Sequence, residues 1–202
     1  MIERLEQVAG RPVSRETFEK LEAYAALLKE ENRRQNLVSV STVERLWDRH
    51  ILDSAQLVRF EPRASSSWAD VGSGAGLPGV VIAILVKGPV LLIEPRRLRA
   101  EFLHKLCESL DLNASVYAGR AERAEGKFDV ITARAVASLM QLLKISAHLS
   151  TRKTVWALPK GRGAERELVE AQQSWQGVFH VERSVTDEES YLVVGTGVRA
   201  KR

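Results

Sequence analysis

Seven residues, Asp70-Val71-Gly72-Ser73-Gly74-Ala75-Gly76, stand between a short apolar run and a second one that opens at Pro78. Glycines in a strand-loop-helix unit let the backbone turn sharply and approach a ligand, while the free N–H groups of the following helix favour negative charge. A dinucleotide fingerprint, G-x-G-x-x-G, needs a third glycine at position 77, where the chain has Leu77. The spacing of Gly72, Gly74 and Gly76 therefore favours S-adenosylmethionine over NAD. That cofactor has no pyrophosphate, and its ribose hydroxyls call for an acid at the end of the next strand. Glu94 stands there, twenty positions beyond Gly74. Its competing use is a surface ion pair with Arg96 or Arg97. Gly119-Arg120-Ala121-Glu122 follows the third strand, where such folds set a side chain or backbone amide against adenine.

The acceptor of a methyl group is read from the loop after the fourth strand, because ligands of open α/β sheets bind outside the carboxyl ends of strands. Here it reads Thr132-Ala133-Arg134-Ala135-Val136-Ala137. It lacks the Asn/Asp-Pro-Pro-aromatic sequence that holds an exocyclic amine, and the cysteine that attacks a pyrimidine ring; Cys107 belongs to an earlier helix. Arg134 offers a planar cation for a phosphate, a carboxylate or a guanine edge, or else braces the loop against Asp53 or Asp129. An acceptor with a free lone pair, such as guanine N7, needs no general base, only positioning. His50 and Asp53, three apart on one helix face, either share a hydrogen bond, line the pocket or serve helix packing.

These residues need a scaffold, and the hydrophobic periods describe one. From Ser14 to Asn36, Phe18, Leu21, Tyr24, Ala25 and Leu28 recur at helical steps, with Ser14 as N-cap and Asn36 as stop. A second helix is predicted from Thr42 to Val58. Beyond Ser67, strands at Trp68 to Val71, Val90 to Ile93, Ala114 to Tyr117, Phe128 to Thr132 and Thr154 to Leu158 alternate with helices. Those helices run from Pro78 to Val86, Leu98 to Leu110, Leu139 to His148 and Ala164 to Trp175. Such alternation implies a doubly wound, Rossmann-like α/β sheet, mostly parallel and covered on both faces. Val178 to Ser184 and Tyr191 to Thr196 have no helix between them and predict a C-terminal antiparallel hairpin. The division expected is a helical extension over residues 1–62 and a methyltransferase domain over 63–202. Phe18, Tyr24, Trp156 and Trp175 fall at core positions rather than as base-stacking platforms.

Composition bounds the rest. The 202 residues, 45% hydrophobic, suffice for one α/β domain with an appendage. Thirty Lys plus Arg against 26 Asp plus Glu give a formal charge of +4, which permits an anionic partner without demanding one. Arg33, Arg34, Arg96, Arg97, Arg99, Lys160, Arg162 and the tail Arg199-Ala200-Lys201-Arg202 could form a phosphate-binding surface or simply solvated faces. The single cysteine excludes an intramolecular disulfide and a cysteine-rich zinc site, and no run is apolar enough for a signal peptide or membrane span. A cytoplasmic monomer without membrane attachment is the expectation.

Beyond the glycine loop, Asn36-Leu37-Val38-Ser39, Arg49-His50-Ile51-Leu52-Asp53-Ser54, Leu77-Pro78-Gly79, Phe102-Leu103, Arg134-Ala135-Val136-Ala137-Ser138-Leu139 and Lys160-Gly161 cover nearly the whole chain. With these segments the sequence resembles the bacterial small-subunit ribosomal RNA methyltransferase G family, also called glucose-inhibited division protein B. The resemblance implies transfer from S-adenosylmethionine to N7 of one guanosine in the 530 loop of 16S ribosomal RNA, guanine 527 in the usual rRNA numbering. The partner is then that RNA or the small ribosomal subunit. It assigns Gly72, Leu77, Ala121, Glu122 and Arg134 to the cofactor pocket. Two departures stand out: Leu98-Arg99 where the family often has a Lys-Arg or Lys-Lys pair, and Pro159 before Lys160. A small-molecule methyltransferase, a non-catalytic RNA-binding or ribosome-assembly factor and a NAD-dependent enzyme are the competing readings, the last opposed by Leu77.

Overall fold

A computed structural model describes residues 1–201, and the side chains of all of these except Val40 and Ser41. Arg202, part of the basic tail, lies outside the described residues. The chain opens with helix α1 (Ile2–Ala9), which the sequence reading passed over although Leu5, Val8 and Ala9 are all buried and Gly10 caps it at φ 65°. Helix α2 (Arg15–Gln35) begins where expected: the Ser14 hydroxyl accepts from the Thr17 N–H at 3.1 Å, and Asn36 ends it in the left-handed conformation.

The helix expected from Thr42 to Val58 is broken. It consists of α3 (Val40–Val43), a π-helical turn (Trp47–Leu52), α4 (Asp53–Ala55) and a 3-10 turn (Gln56–Phe60). The apolar period is right but the hydrogen-bond ladder changes pitch, which tertiary packing dictates rather than side-chain type. A π turn inside a helix frequently marks a functional site. Here it carries Arg49 and His50.

Seven strands form one sheet in the order β3-β2-β1-β4-β5-β7-β6. They are β1 (Trp68–Val71), β2 (Val90–Ile93), β3 (Ala114–Tyr117), β4 (Val130–Thr132), β5 (Val155–Lys160), β6 (Trp175–Arg183) and β7 (Tyr191–Ala200). The first five are parallel; β7 is antiparallel to β5 and β6 antiparallel to β7, as the missing crossover predicted. Helices α5 (Gly79–Leu85), α6 (Arg97–Ser109), α7 (Leu139–Ser146) and α8 (Ala164–Ala171) cover the faces. Trp175 is not the end of a helix: α8 stops at Ala171, and Trp175 opens β6 opposite Ala200, a pairing no local signal announces.

Strand alternation divides the core between the two faces. Trp68, Val90, Leu92 and Val130 join Leu5, Tyr24, Leu28, Ile51, Leu57 and Val80 in one cluster, so the helices of residues 1–62 share a core with the sheet and α5. Ala69, Val71, Ile93, Ile131 and Trp156 join Leu139, Leu143 and Leu168 on the other face. Among the predicted core aromatics, Tyr24 and Trp156 are fully buried, while Phe18 is half-buried and stacks on Trp47 with ring centroids 5.3 Å apart. No described helix is long and apolar enough to cross a membrane.

Candidate active site at the carboxyl edge of the sheet

Parallel pairing aligns Val71 with Ile93, Ile93 with Tyr117 and Asp70 with Thr132, so the loops after β1 to β4 leave the sheet along one edge. The order reverses between β1 and β4, and this switch point is where open α/β sheets form a ligand crevice. Of the sequence-predicted site residues, Gly72, Gly74, Glu94 and Arg134 meet around that crevice. Ala121 and Glu122 lie at its far end.

The glycine loop is stitched to the end of β2. The N–H groups of Gly72 and Ser73 donate to the Ile93 carbonyl at 2.8 and 3.0 Å. Glu94, 3% exposed, accepts from the Gly74 N–H at 2.9 Å with one carboxylate oxygen and from the Arg96 N–H at 2.8 Å with the other. The competing surface pairing with Arg96 or Arg97 does not form: Glu94 takes backbone bonds, and the Arg97 side chain goes to Glu101. Gly72 takes φ 72°, and a Cβ there would stand 2.5 Å from Val136 Cγ2, so only glycine lets the β4 loop close over this turn. Gly76, at φ 91°, is hemmed in by Val80. Leu77 is 4% exposed and belongs to the helix-side core, leaving its backbone as the part that faces the loop.

Two residues outside the predicted set hold the loop. Asp70 is fully buried; one oxygen accepts from the Gly79 N–H at 3.0 Å and the other has no partner among the described residues. Burial pushes its carboxyl up to about 7, against the opposing pull of Ser73, Gly79 and Arg134. The phenol of Tyr24 donates to the Ala75 carbonyl at 3.0 Å, tying α2 to the loop across 51 residues. Burial drives that phenol far above its ordinary ionisation range, so it remains a donor. Tyr24→Phe leaves a buried carbonyl unpaired, at about 1–3 kcal/mol. For a chain of this size that corresponds to a melting temperature lower by roughly 2–12 °C, with weaker cofactor binding. Thermal melts with and without S-adenosylhomocysteine check it.

Beyond Glu94, a cleft of about 450 Å³ is lined by Pro95, Tyr117, Gly119, Arg120, Glu122 and Arg123. Glu122 is exposed on it, whereas Ala121 is 5% exposed and anchors the 3-10 turn Ala121–Arg123 in the core.

On the other side of the switch point lies Arg134. Its guanidinium stands 3.5 Å from Asp53, both side chains less than one-fifth exposed. Asp129, the other partner considered, takes Arg63 instead. Asp53 is itself fixed: its Oδ1 accepts from Gln56 Nε2 at 2.8 Å and from the Thr186 hydroxyl at 2.9 Å, and Gln56 reaches Ser184 at 3.0 Å. Ala135 follows Arg134 at φ 55°, a strained conformation for a residue with a side chain and one that clusters at functional sites. Lys160, read as a surface cation, is mostly buried. It donates to the Ala137 carbonyl at 3.0 Å and to Glu167 at 2.8 Å, bracing the β4 loop.

Arg134 separates two clefts. One, of about 400 Å³, lies against the π turn and is lined by residues including Val38, Arg49, His50, Asp53, Arg134, Thr186 and Ser190. The other, of about 320 Å³, reaches Lys160, Gly161 and Tyr191. His50 and Asp53 therefore line the pocket together. The His50 ring nitrogens are buried and have no partner among the described residues. Burial first, then the cations Arg134 and Arg49, lower its ionisation to about 4, so the imidazole is neutral at physiological pH.

A site-resolved titration tests this. The His50 midpoint is expected near 4 in NMR spectra, and an ordinary value near 6.5 would refute the environment described. Between about 6.5 and 4 the unfolded chain binds a proton that native His50 refuses, so its contribution to stability is present above 6.5 and lost as pH falls. Asp70 has the opposite slope: its raised ionisation contributes stability that is complete below 3.8 and lost as pH rises through about 7. The two oppose each other in one window, which makes NMR rather than melting the measurement.

The fold and crevice define a Rossmann-like methyltransferase architecture. A solved ribosomal protein L11 methylase from Lactobacillus delbrueckii subsp. bulgaricus shares it at TM-score 0.56 and 16% identity, over 75% of this chain and 78% of that one. Sequence goes further: the GidB family, described as rRNA small subunit methyltransferase G, matches residues 17–190, and the chain belongs to it. The ribosomal RNA small subunit methyltransferase G of Zymomonas mobilis is 45% identical over 199 residues, spanning 94% of this chain and 90% of the relative. That of Erythrobacter litoralis is 49% identical over 187 residues, spanning 91% and 90%.

Proposed function

We propose that this chain transfers a methyl group from S-adenosylmethionine to N7 of a guanosine in the 530 loop of 16S ribosomal RNA, with residues 63–202 as the methyltransferase domain and 1–62 as its helical extension. The observation that carries the cofactor is the buried Glu94 carboxylate bonded to Gly74 at the sheet's carboxyl edge. Its oxygens keep lone pairs for ribose hydroxyls. The donor set also fits: Gly72 and Gly74 leave no side chain over the turn, Arg99 stands beside Gly74, and the cleft at Gly119 and Glu122 adjoins Glu94 through the Tyr117 strand end. Gly72, Gly74, Gly76, the Leu77 backbone, Glu94, Ala121, Glu122 and Arg134 would hold the cofactor. When bound, it supplies an electrophilic methyl group on a sulfonium.

What the protein contributes is placement. Glu94 and the glycine loop would hold the cofactor at the ends of β1 and β2, and Arg134 and the His50 cleft lie across the switch point at the end of β4. The lone pair of guanine N7 needs no base, so orientation and exclusion of water are the main tasks. Arg134 orients the acceptor or its phosphate bidentately. The deciding experiment incubates purified protein with tritiated S-adenosylmethionine and small subunits lacking the modification, then maps the labelled nucleotide. Label in the 530-loop guanosine is expected; label only in protein or metabolites overturns the reading.

A further inference from the structure

Resting on the guanosine reading above, we propose that the cleft between the π turn and the β4 loop receives the acceptor base, and that His50 and Asp53 hold its Watson–Crick edge. Three observations converge on this cleft. Its volume of about 400 Å³ admits a purine, and it is bordered by Arg134 and Ala135 of the β4 loop, the loop whose Val136 packs over Gly72. His50 lines this cleft, and its two ring nitrogens, buried beneath the cleft surface, have no partner among the described residues, an unmet hydrogen-bonding capacity that costs free energy until a ligand or water meets it. A neutral imidazole offers one donor and one acceptor.

Asp53 complements it. Its Oδ1 is committed to Gln56 and Thr186, whereas among the described residues Oδ2 meets only the Arg134 guanidinium, at 3.5 Å. That oxygen can accept from guanine N1–H or its exocyclic amino group, which adenine cannot imitate at N1. The geometry has a chemical logic. Contacts to the Watson–Crick edge leave N7, on the opposite side of the purine, unhindered and turned toward the edge of the sheet where the methyl group arrives. The walls come from four parts of the chain: the segment after α2 through Leu37 and Val38, the π turn, the β4 loop, and the β6–β7 connection through Thr186 and Ser190. That convergence suits a pocket for a base withdrawn from its stack.

The test compares wild type with His50→Phe, His50→Ala and His50→Gln, using full-length protein, tritiated S-adenosylmethionine and small subunits lacking the modification. Phosphate contacts dominate nucleic-acid affinity, so KM for subunits should stay within about threefold. Loss of a base contact falls on kcat, expected to drop roughly 30-fold in the Phe and Ala variants and to recover several-fold in Gln, which keeps a donor and an acceptor. Calorimetry with S-adenosylhomocysteine should give unchanged affinity, and melting curves confirm folding; Phe keeps the ring volume should Ala not fold. Wild-type kcat in the Phe variant, or lost S-adenosylhomocysteine binding, overturns the assignment of His50 to the acceptor. Wild-type protein that labels no RNA overturns the function itself and this inference with it.

Discussion

Glu94→Ala is expected to weaken S-adenosylhomocysteine binding by roughly 100-fold, measured by calorimetry. The carboxylate is the joint between β2 and the glycine loop, accepting from the Gly74 and Arg96 N–H groups. Hydrogen bonds to a charged group contribute about 1.5–3 kcal/mol each, and removal leaves two backbone donors without their acceptor. Two ribose hydroxyl bonds to the carboxylate, at about 1.5 kcal/mol each, amount to about 3 kcal/mol, a little over two decades of affinity. The same change should lower the melting temperature by several degrees, since about 1 kcal/mol corresponds to roughly 2–4 °C for a chain of this size. Glu94→Gln preserves volume but turns an amide N–H toward one of those donors, so it should rescue little. Wild-type affinity in either variant would remove Glu94 from the cofactor site.

Arg134→Ala should reduce single-turnover methyl transfer by roughly 100-fold or more, the scale of losing one positioned donor at a reacting centre. Arg134 stands at the switch point between two clefts and is the cation that faces Asp53. Without it, Asp53 keeps among the described residues the neutral donors Gln56, Ser184 and Thr186. Arg134→Lys should recover only part of the activity, because an ammonium cannot reproduce the planar fork. A second readout separates this role from simple bracing of the loop. Arg134 is the larger of the two cations holding down the His50 ionisation, so the His50 midpoint should rise above about 4 in the Ala variant. Transfer within tenfold of wild type, with an unmoved His50, would sink the assignment.

The effects of these substitutions divide along the line between local and distant information. Five parallel strands, the caps of α2 and the glycine loop were legible because each is encoded within a few residues: alternating apolar positions, Ser14 before a helix, glycines where φ turns positive. Glu94 was legible for the same reason, being the first residue past a buried strand. The break of the second helix at the π turn was not, since Trp47–Leu52 carries an ordinary helical period and only its packing changes the ladder. Trp175 continues the helical pattern of α8 in sequence, and its β partner, Ala200, lies at the other end of the hairpin, beyond any local signal.

The candidate site shows the same division more sharply. By itself the sequence determined the chemistry available: a turn able to approach a nucleoside, an acid one strand away, an arginine after the fourth strand and no cysteine nucleophile in that loop. Only the tertiary structure decided which groups act together. Tyr24 reaches Ala75 across 51 residues, and Asp53 is fixed by Thr186 across 133. Lys160, a surface cation in the sequence, becomes a buried brace for the β4 loop. Most telling is His50, whose proposed role depends on what its ring lacks, a partner, and on the burial, aided by two guanidinium groups, that keeps it neutral. Residue types and spacing carry intrinsic conformational and chemical preferences, but burial and charge environment are sums over the whole fold. No window of the sequence contains them.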